Sequence, residues 1–365
     1  MVKKGSGSNF ISTDKPILGI KDEKAMNQQL TEFHTSKGSI LCCDSLDHMK
    51  QHMQNETCDL IFTSPPFALV RKKDYGNESE KTYVNWFRDF AIQFYRILKP
   101  TGSLVIDIGG SWIPGQPTRS LYHFELVIML CHDIGFHLAQ EFYWWNPSKL
   151  PTPAEWVTVR RVRVKDAVNT VYWLSKTPWP RACNKRVLAP YSDSMKDLLR
   201  NGYKAKMRPS GHDISEKFQK NNGAAIPPNL IAIPNTESNS FYLRYCKQKN
   251  IKPHPARFPA LLPEYFIRML TDEDDFVFDP FAGSAVTGEV CERLNRKWLC
   301  CEILPQYVTG AIGRFANGVS TGDERKEPEH YRIPSSSRLW RDCRFSNNER
   351  LSTDGGRHRY KRSKS

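Results

Sequence analysis

The chain has no C-x-x-C pair, although ten cysteines are scattered over its 365 residues. A zinc ribbon needs that spacing, so the sequence argues against one. The adjacent pairs Cys42/Cys43 and Cys300/Cys301 give no disulfide framework, and the expectation is buried free thiols in a reducing cytoplasm. No apolar run approaches the roughly 20 residues that a membrane span requires. The stretch from Met1 to Ser8 is polar, without the apolar centre of a secretory signal. A cytoplasmic location with no membrane partner follows. Internal repeats are absent too. The scarce charge is negative: 39 Asp and Glu against 53 Lys and Arg, a formal net charge of +14. That balance implies a polyanionic partner.

The position of the excess says more than its size. Residues 149–252 hold 20 Lys and Arg against 7 Asp and Glu, almost the whole surplus. Single-sign charge gathered into one third of a chain suits phosphates better than a merely solvated surface. Residues 331–365 are also basic, with 10 Lys and Arg and 3 Asp and Glu, but they are poor in apolar residues and read as disordered.

From Gly38 to about Lys176, strand-like and helix-like runs alternate. Ile40-Leu41, Leu60-Ile61-Phe62, Leu104 to Ile108, Glu141 to Trp145 and Thr170 to Leu174 read as strands. Tyr83 to Leu98 and Leu121 to Ile134 have helical spacing. Alternation stops over residues 178–252, which are rich in Pro, Asn, Ser and Lys, and returns from His254 to about Phe315. The predicted fold is a layered α/β domain. Its divisions are a flexible lead-in with one short helix (1–34), a catalytic part (35–177), a loop-rich region suited to reaching DNA (178–252), a cofactor-binding part (253–318) and a basic tail (319–365).

Two motifs carry chemistry. The first is Thr63-Ser64-Pro65-Pro66-Phe67, directly after the apolar run ending at Phe62. Two prolines can neither continue a sheet ladder nor enter a helix interior, so the chain turns there. The end of a strand is where open α/β folds bind ligands. The turn presents one hydroxyl, one aromatic ring and carbonyls with no amide hydrogens from the prolines. That set suits a flat ring bearing an amino group. Asp107 ends the strand expected to lie beside that of Ser64. It either orients Ser64, accepts a proton, or caps the turn before Gly109-Gly110.

The second motif is Asp279-Pro280-Phe281-Ala282-Gly283-Ser284-Ala285, between a predicted strand (Asp274 to Asp279) and a predicted helix (Thr287 to Arg296). Gly283 and its small neighbours permit close approach of a ligand to the backbone. Glu302 follows Gly283 by 19 positions, at the end of the apolar run Trp298-Leu299-Cys300-Cys301. An acid about 20 residues after a Gly-rich turn is placed to catch ribose hydroxyls in nucleotide-binding βαβ units.

Taken together, these residues resemble the β-group DNA amino-methyltransferases. In that family an S-P-P-[FY] tetrapeptide binds the target base, and an F-x-G-x-G turn binds S-adenosylmethionine. The tetrapeptide comes first in the chain and the cofactor turn last, as here. His254-Pro255-Ala256-Arg257-Phe258-Pro259 is similar to the family's segment just ahead of the cofactor turn, and Ser39 to Asp44 to its strand whose terminal acid faces the adenine. Ala285 stands where many relatives carry the second glycine, which narrows the turn. Leu69 to Asn77 and Ser210 to Ile214 resemble the N4-cytosine branch, in particular a modification enzyme for the palindrome CAGCTG.

The resemblance implies a circularly permuted, Rossmann-like S-adenosylmethionine-dependent methyltransferase with a mixed sheet and a target-recognition insert. Its substrate would be a cytosine flipped out of double-stranded DNA, methylated at N4. Ser64, Pro65, Pro66, Phe67 and Asp107 would be catalytic. Asp44, Phe258, Pro259, Asp279, Phe281, Gly283, Ser284 and Glu302 would hold the cofactor. The setting would be a prokaryotic, nucleoid-associated enzyme, a monomer or weak dimer, paired functionally with a restriction endonuclease of the same site. An adenine-N6 methyltransferase is the nearest alternative, although such relatives usually carry Asp or Asn in place of Ser64. Carbon-5 methylation needs an attacking thiolate, typically in a Pro-Cys pair, and none occurs. A noncatalytic DNA-binding regulator would not need both motifs.

For DNA contact, Val159 to Lys165 alternates apolar and basic residues. As a strand it would place Arg161, Arg163 and Lys165 on one phosphate-tracking face, with Arg160 adjacent; a charged edge strand that merely resists aggregation is the other reading. Arg208, with Lys204 and Lys206, is a weaker candidate, and His212 is expected to be structural. Trp144 and Trp145 are candidates for the wall of the base pocket, with at least one expected in the core.

Overall fold

The computed structural model describes residues 31–68, 78–202, 220–236 and 240–315. The predicted tail, Lys204, Lys206, Arg208, His212, Leu69 to Asn77 and Ser210 to Ile214 thus lie outside the described residues.

The frame is one nine-stranded sheet. Its strands are β1 (Glu32–His34), β2 (Gly38–Cys42), β3 (Cys58–Thr63), β4 (Leu98–Ile108), β5 (His137–Trp145), β6 (Val168–Ser175), β7 (Leu230–Ala232), β8 (Phe276–Asp279) and β9 (Lys297–Glu302). The spatial order is β1-β2-β9-β8-β3-β4-β6-β5-β7. From β2 to β4 all neighbours are parallel, and β6 runs against both β4 and β5. β3 therefore lies between β4 and β8, the latter from more than 200 residues later in the chain. The permuted, mixed-sheet expectation is met.

Parallel strands need crossover helices, and these cover both faces. Alternate residues of β3 separate accordingly. Leu60 and Phe62 join a core with α6 (Leu261–Leu270), α7 (Val286–Arg293) and α8 (Pro305–Ala311). Ile61 joins a second core with α1 (Ser45–His52), α2 (Tyr83–Ile97) and α3 (Tyr122–Met129). All six residues of β3 are buried, which is why its middle, Leu60-Ile61-Phe62, is apolar without alternation.

Two boundaries differ from expectation. The lead-in ends early: Glu32–His34 pairs antiparallel with β2 as an edge strand. The region read as loop-rich contains α4 (Asp193–Asn201), the edge strand β7 and α5 (Phe241–Gln248). Three-residue β7 is too short to show alternation, and α5 earns its place by packing: Tyr245 lies against Gly313, where a Cβ would fall 2.7 Å from its ring.

Candidate functional site

The carboxyl ends of β2, β9, β8, β3 and β4 lie along one edge of the sheet, so the turns that follow them share one rim. Thr63 and Ser64 sit at its centre. Strand alternation sends consecutive side chains in opposite directions, and these two hydroxyls divide between two buried acids. Thr63 Oγ1 donates to Asp279 Oδ1 at 3.0 Å. Ser64 Oγ donates to Asp107 Oδ2 at 3.0 Å. The pairing of β3 with β4 puts Thr63 beside Ile106, which brings Ser64 level with Asp107 as the sequence predicted.

Asp107 is fully buried, and burial pushes its carboxyl up to about 6 against the hydrogen bonds of Asn169 and Ser64 and the charge of Lys149. Asn169 Nδ2 donates to Asp107 Oδ1 at 3.1 Å. Asn169 was missed in the sequence. It lies on β6, more than 60 residues from Asp107, and only the antiparallel pairing of Asp107 with Val171 brings it near. Phe67 is half-buried with its ring on Gly109: a Cβ there would fall 2.6 Å from the ring. Gly109 thus lets the aromatic lie flat at the pocket wall.

On the other side of β3, Asp279 is also wholly buried and raised to about 6, mainly by desolvation. Its oxygens accept from Thr63 Oγ1, the Phe281 amide (3.1 Å) and Thr287 Oγ1 (2.6 Å). It locks the turn to the central strand. In that turn Gly283 takes φ +54° and Ala285 φ +53°, a left-handed conformation that suits the glycine of relatives better than alanine. The ring of His254 lies against Gly283, 3.0 Å from where a Cβ would stand. His254 Nδ1 is 2.5 Å from the Ala256 carbonyl, and burial lowers its pKa to about 4, so the ring is neutral at pH 7. Arg314 holds the far side of the turn, donating to the Ser284 carbonyl (2.6 Å) and hydroxyl (3.0 Å).

Glu302 ends β9 beside Gly283. Its Oε2 accepts from the Gly283 amide at 2.9 Å and its Oε1 from the Leu304 amide at 2.9 Å. Burial raises it to about 7. Asp44 caps α1 through Oδ1, accepting from the Leu46 and Asp47 amides at 2.8 and 3.2 Å, and stays exposed. Phe258 and Pro259 are buried, Phe258 edge-on to Phe62 at 5.5 Å, and Phe281 packs on Phe90 at 5.0 Å. The residues fit S-adenosylmethionine. A glycine turn at positive φ, tight against the His254 ring, and a carboxylate held at its side by the turn's own amide form a cradle for a nucleoside, and Asp44 borders the same rim.

The strand reading behind the DNA-contact expectation needs correction. Val159 to Lys165 is not a strand. It belongs to an arm, residues 146–167, that leaves β5 and returns as β6 on the active-site rim. Glu155–Val159 forms one wide helical turn, and Arg161 takes φ +55°. The amides of Val162 and Arg163 both donate to the Trp156 carbonyl, which folds the chain back. Arg163 grips both oxygens of Asp166 (3.0 and 2.9 Å), Arg160 pairs with Glu155 (2.7 Å), and Lys165 donates to the carbonyls of Pro147 and Lys149. These local pairs decided the shape; a period-two pattern cannot register them. Arg161 remains exposed. Trp144 is core, its Nε1 donating to the Ile233 carbonyl at 2.9 Å, whereas Trp145 is exposed.

A mixed sheet of this order, with a hydroxyl–acid pair on one side of its central strand and a glycine turn with a partnered acid on the other, defines a Rossmann-like methyltransferase. The DNA methylase family profile matches residues 58–313. The type II methyltransferase M.PvuII of Proteus hauseri is 54% identical over 286 residues, covering 78% of this chain and 85% of that one. The type II methyltransferase M.HpaI of Haemophilus parainfluenzae is 25% identical over 296 residues, covering 78% and 77%. The solved structure of PvuII DNA methyltransferase, a cytosine-N4-specific enzyme, matches with a TM-score of 0.63 at 45% identity, covering 81% of this chain and 89% of that one. The chain belongs to the DNA methylase family of N6 and N4 methyltransferases and is an enzyme that acts on DNA.

Proposed function

We propose that this chain transfers the methyl group of S-adenosylmethionine to the exocyclic N4 of a cytosine flipped out of duplex DNA, as the modification member of a restriction-modification pair. The observation that carries the reading is the Ser64–Asp107 hydrogen bond inside Ser-Pro-Pro-Phe, at the mouth of a site that also holds the glycine turn.

Because Ser64 donates its proton to Asp107, its oxygen lone pairs are left to accept an N4 hydrogen. The Pro65 carbonyl accepts the second. Two acceptors draw the nitrogen lone pair out of conjugation with the ring and toward an attacking geometry, with Phe67 on the base face. When bound, S-adenosylmethionine supplies an electrophilic methyl on a sulfonium, already a good leaving group, so most of the rate comes from alignment. As the nitrogen–carbon bond forms and the carbon–sulfur bond breaks, one N4 proton leaves. Ser64 and Asp107 form its path, with Asn169 holding the far oxygen of the acid. Gly283 and Glu302 would hold the nucleoside part of the cofactor, with Asp44 on the side of its adenine.

The target palindrome CAGCTG is carried by the likeness to M.PvuII and its branch. The recognition region is 178–252 with the arm at 146–167 beside it. A cytoplasmic, nucleoid-associated monomer or weak dimer fits the composition. No helix among the described residues is long and apolar enough to cross a membrane. Expression in a methylation-free host, followed by nucleoside analysis and sequencing of plasmid DNA, tests the reading. N4-methylcytosine within CAGCTG is expected. N6-methyladenine would replace it with the adenine-specific alternative, and unmodified DNA would sink both.

A further inference from the structure

The loop after β4 folds back on itself between Gly109 and Ser120. Trp112 and Arg119 bridge across it, and Ile113 and Ser120 donate their amides to Thr118 and Ser111. This brings the Arg119 guanidinium onto Gly110, three residues past Asp107. A Cβ at Gly110 would fall 1.5 Å from Arg119 Nη2. Only a glycine there permits the cation to lie so close to the catalytic pocket.

The arm at 146–167 meets Arg119 from the other side. Asp166 lies 3.6 Å from Arg119 Nη1, while Arg163 takes the same carboxylate with both oxygens. Two guanidiniums therefore share one acid, and the second is held more loosely. The Arg119 side chain is 42% exposed, the Arg163 side chain 15%. Arg163 Nη1 is buried and has no hydrogen-bond partner among the described residues. Lys149, on the same arm, is near enough for its charge to act on Asp107. Arg119, Arg163 and Lys149 thus set positive charge near a buried acid, and Arg119 is the more exposed and more loosely paired of the two arginines.

We propose that Arg119, held in place by Gly110 and Asp166, is a phosphate post: it binds a backbone phosphate of the duplex next to the extruded base. The inference rests on the DNA substrate argued above. A nucleotide whose base lies between Ser64 and Phe67 carries its two phosphodiesters at the pocket mouth, because extrusion rotates the backbone with the base. A planar guanidinium matches two phosphate oxygens in one contact. Such a contact fixes register and orientation without reading sequence.

The test measures binding rather than methylation, so it does not depend on turnover. Duplexes containing CAGCTG are titrated with protein and S-adenosylhomocysteine, each duplex carrying one neutral methylphosphonate linkage at a different position. For the wild type, one linkage beside the target base weakens binding by about tenfold, the scale of one charge-assisted contact. Arg119→Ala weakens binding to the all-phosphate duplex by a similar factor, lowers the salt slope by about one, and is indifferent to that linkage. Arg119→Lys retains part of the affinity and the same sensitive linkage. If Arg119 only braced the arm, Arg119→Ala would lower thermal stability and S-adenosylhomocysteine affinity, and its loss would add to that of every linkage; this overturns the proposal. Wild-type affinity in Arg119→Ala overturns it too. A wild-type protein that ignores the CAGCTG duplex sinks the substrate reading itself.

Discussion

Asp107 and Asp279 flank the same strand, are both fully buried, and are both raised to about 6 by desolvation, yet they do different work. Asp279 is met by three donors, two of them from its own turn and the helix after it. None of the three need move, and the acid pins the cofactor turn to the sheet. Asp107 is met by two side chains, and one of them is the hydroxyl that faces the base pocket. On the proposed function, the same carboxylate in the same degree of burial is a fastener where its donors are fixed and part of the reaction where its donor would touch substrate. The neighbouring hydroxyls Thr63 and Ser64 carry the same contrast.

The sharpest way to break that contrast is to remove each hydroxyl in turn. Ser64→Ala should lose about 2–4 kcal/mol of transition-state stabilisation, a turnover drop of roughly 30- to 1000-fold, by analogy with a lost oxyanion donor. Its S-adenosylmethionine affinity, measured by calorimetry, should stay near wild type. Turnover near wild type would remove Ser64 from the chemistry. Thr63→Val, by contrast, leaves a buried carboxylate short of one donor and should cost about 1–3 kcal/mol of stability with little change in turnover per folded molecule.

On the cofactor side, Gly283→Val should weaken S-adenosylmethionine binding by at least about tenfold per 1.4 kcal/mol of strain and obstruction introduced. The position has φ +54° and the His254 ring closes the space a side chain would need. DNA binding without cofactor should survive, and its loss would show that the two halves are not separable.

The two halves should also part in their pH dependence. Asp107 accepts from Ser64 as a carboxylate, so protonation below about 6 removes the acceptor, and kcat/KM should fall tenfold per pH unit on the acid side of that value. Because its folded pKa is raised, the stability this group contributes is present below about 4 and lost as pH rises through about 6. Maximal activity is therefore expected where Asp107 no longer favours the fold. Glu302, raised to about 7, should give cofactor affinity its own step near that pH, absent in Glu302→Gln. A single shared step in both profiles would erase the distinction.

The smallest effect belongs to the arm. Arg161→Glu should weaken binding to all DNA sequences a few-fold and reduce the salt slope, since Arg161 is exposed. Arg163→Glu would instead set a carboxylate against Asp166, so its damage would be to the arm's shape.

Legibility followed distance along the chain. Ser64 and Asp107 could be paired in advance because each ends an apolar run, and neighbouring parallel strands end level. The glycine turn and Glu302 were readable for the same reason: strand, turn, helix and strand are contiguous. Val159 to Lys165 misled because alternation of Val with Arg or Lys is a strand pattern only if nothing nearer competes. Here Glu155 and Asp166, within five residues, took the arginines first. Asn169 and Arg119 carried no signal at all. One needed the antiparallel register of β6 on β4, the other a folded-back loop over Gly110.

The sequence by itself determined the motifs, their order and the strands that present them, because hydrophobic period and turn chemistry act within a few residues. Only the tertiary structure decided which groups meet: that Thr63 and Ser64 answer to different acids, that Asn169 completes Asp107, and that two arginines share Asp166 at the pocket mouth. Apart from Arg163 with Asp166, those contacts join residues tens to hundreds of positions apart, and their geometry is set by strand register and packing, which no local pattern encodes.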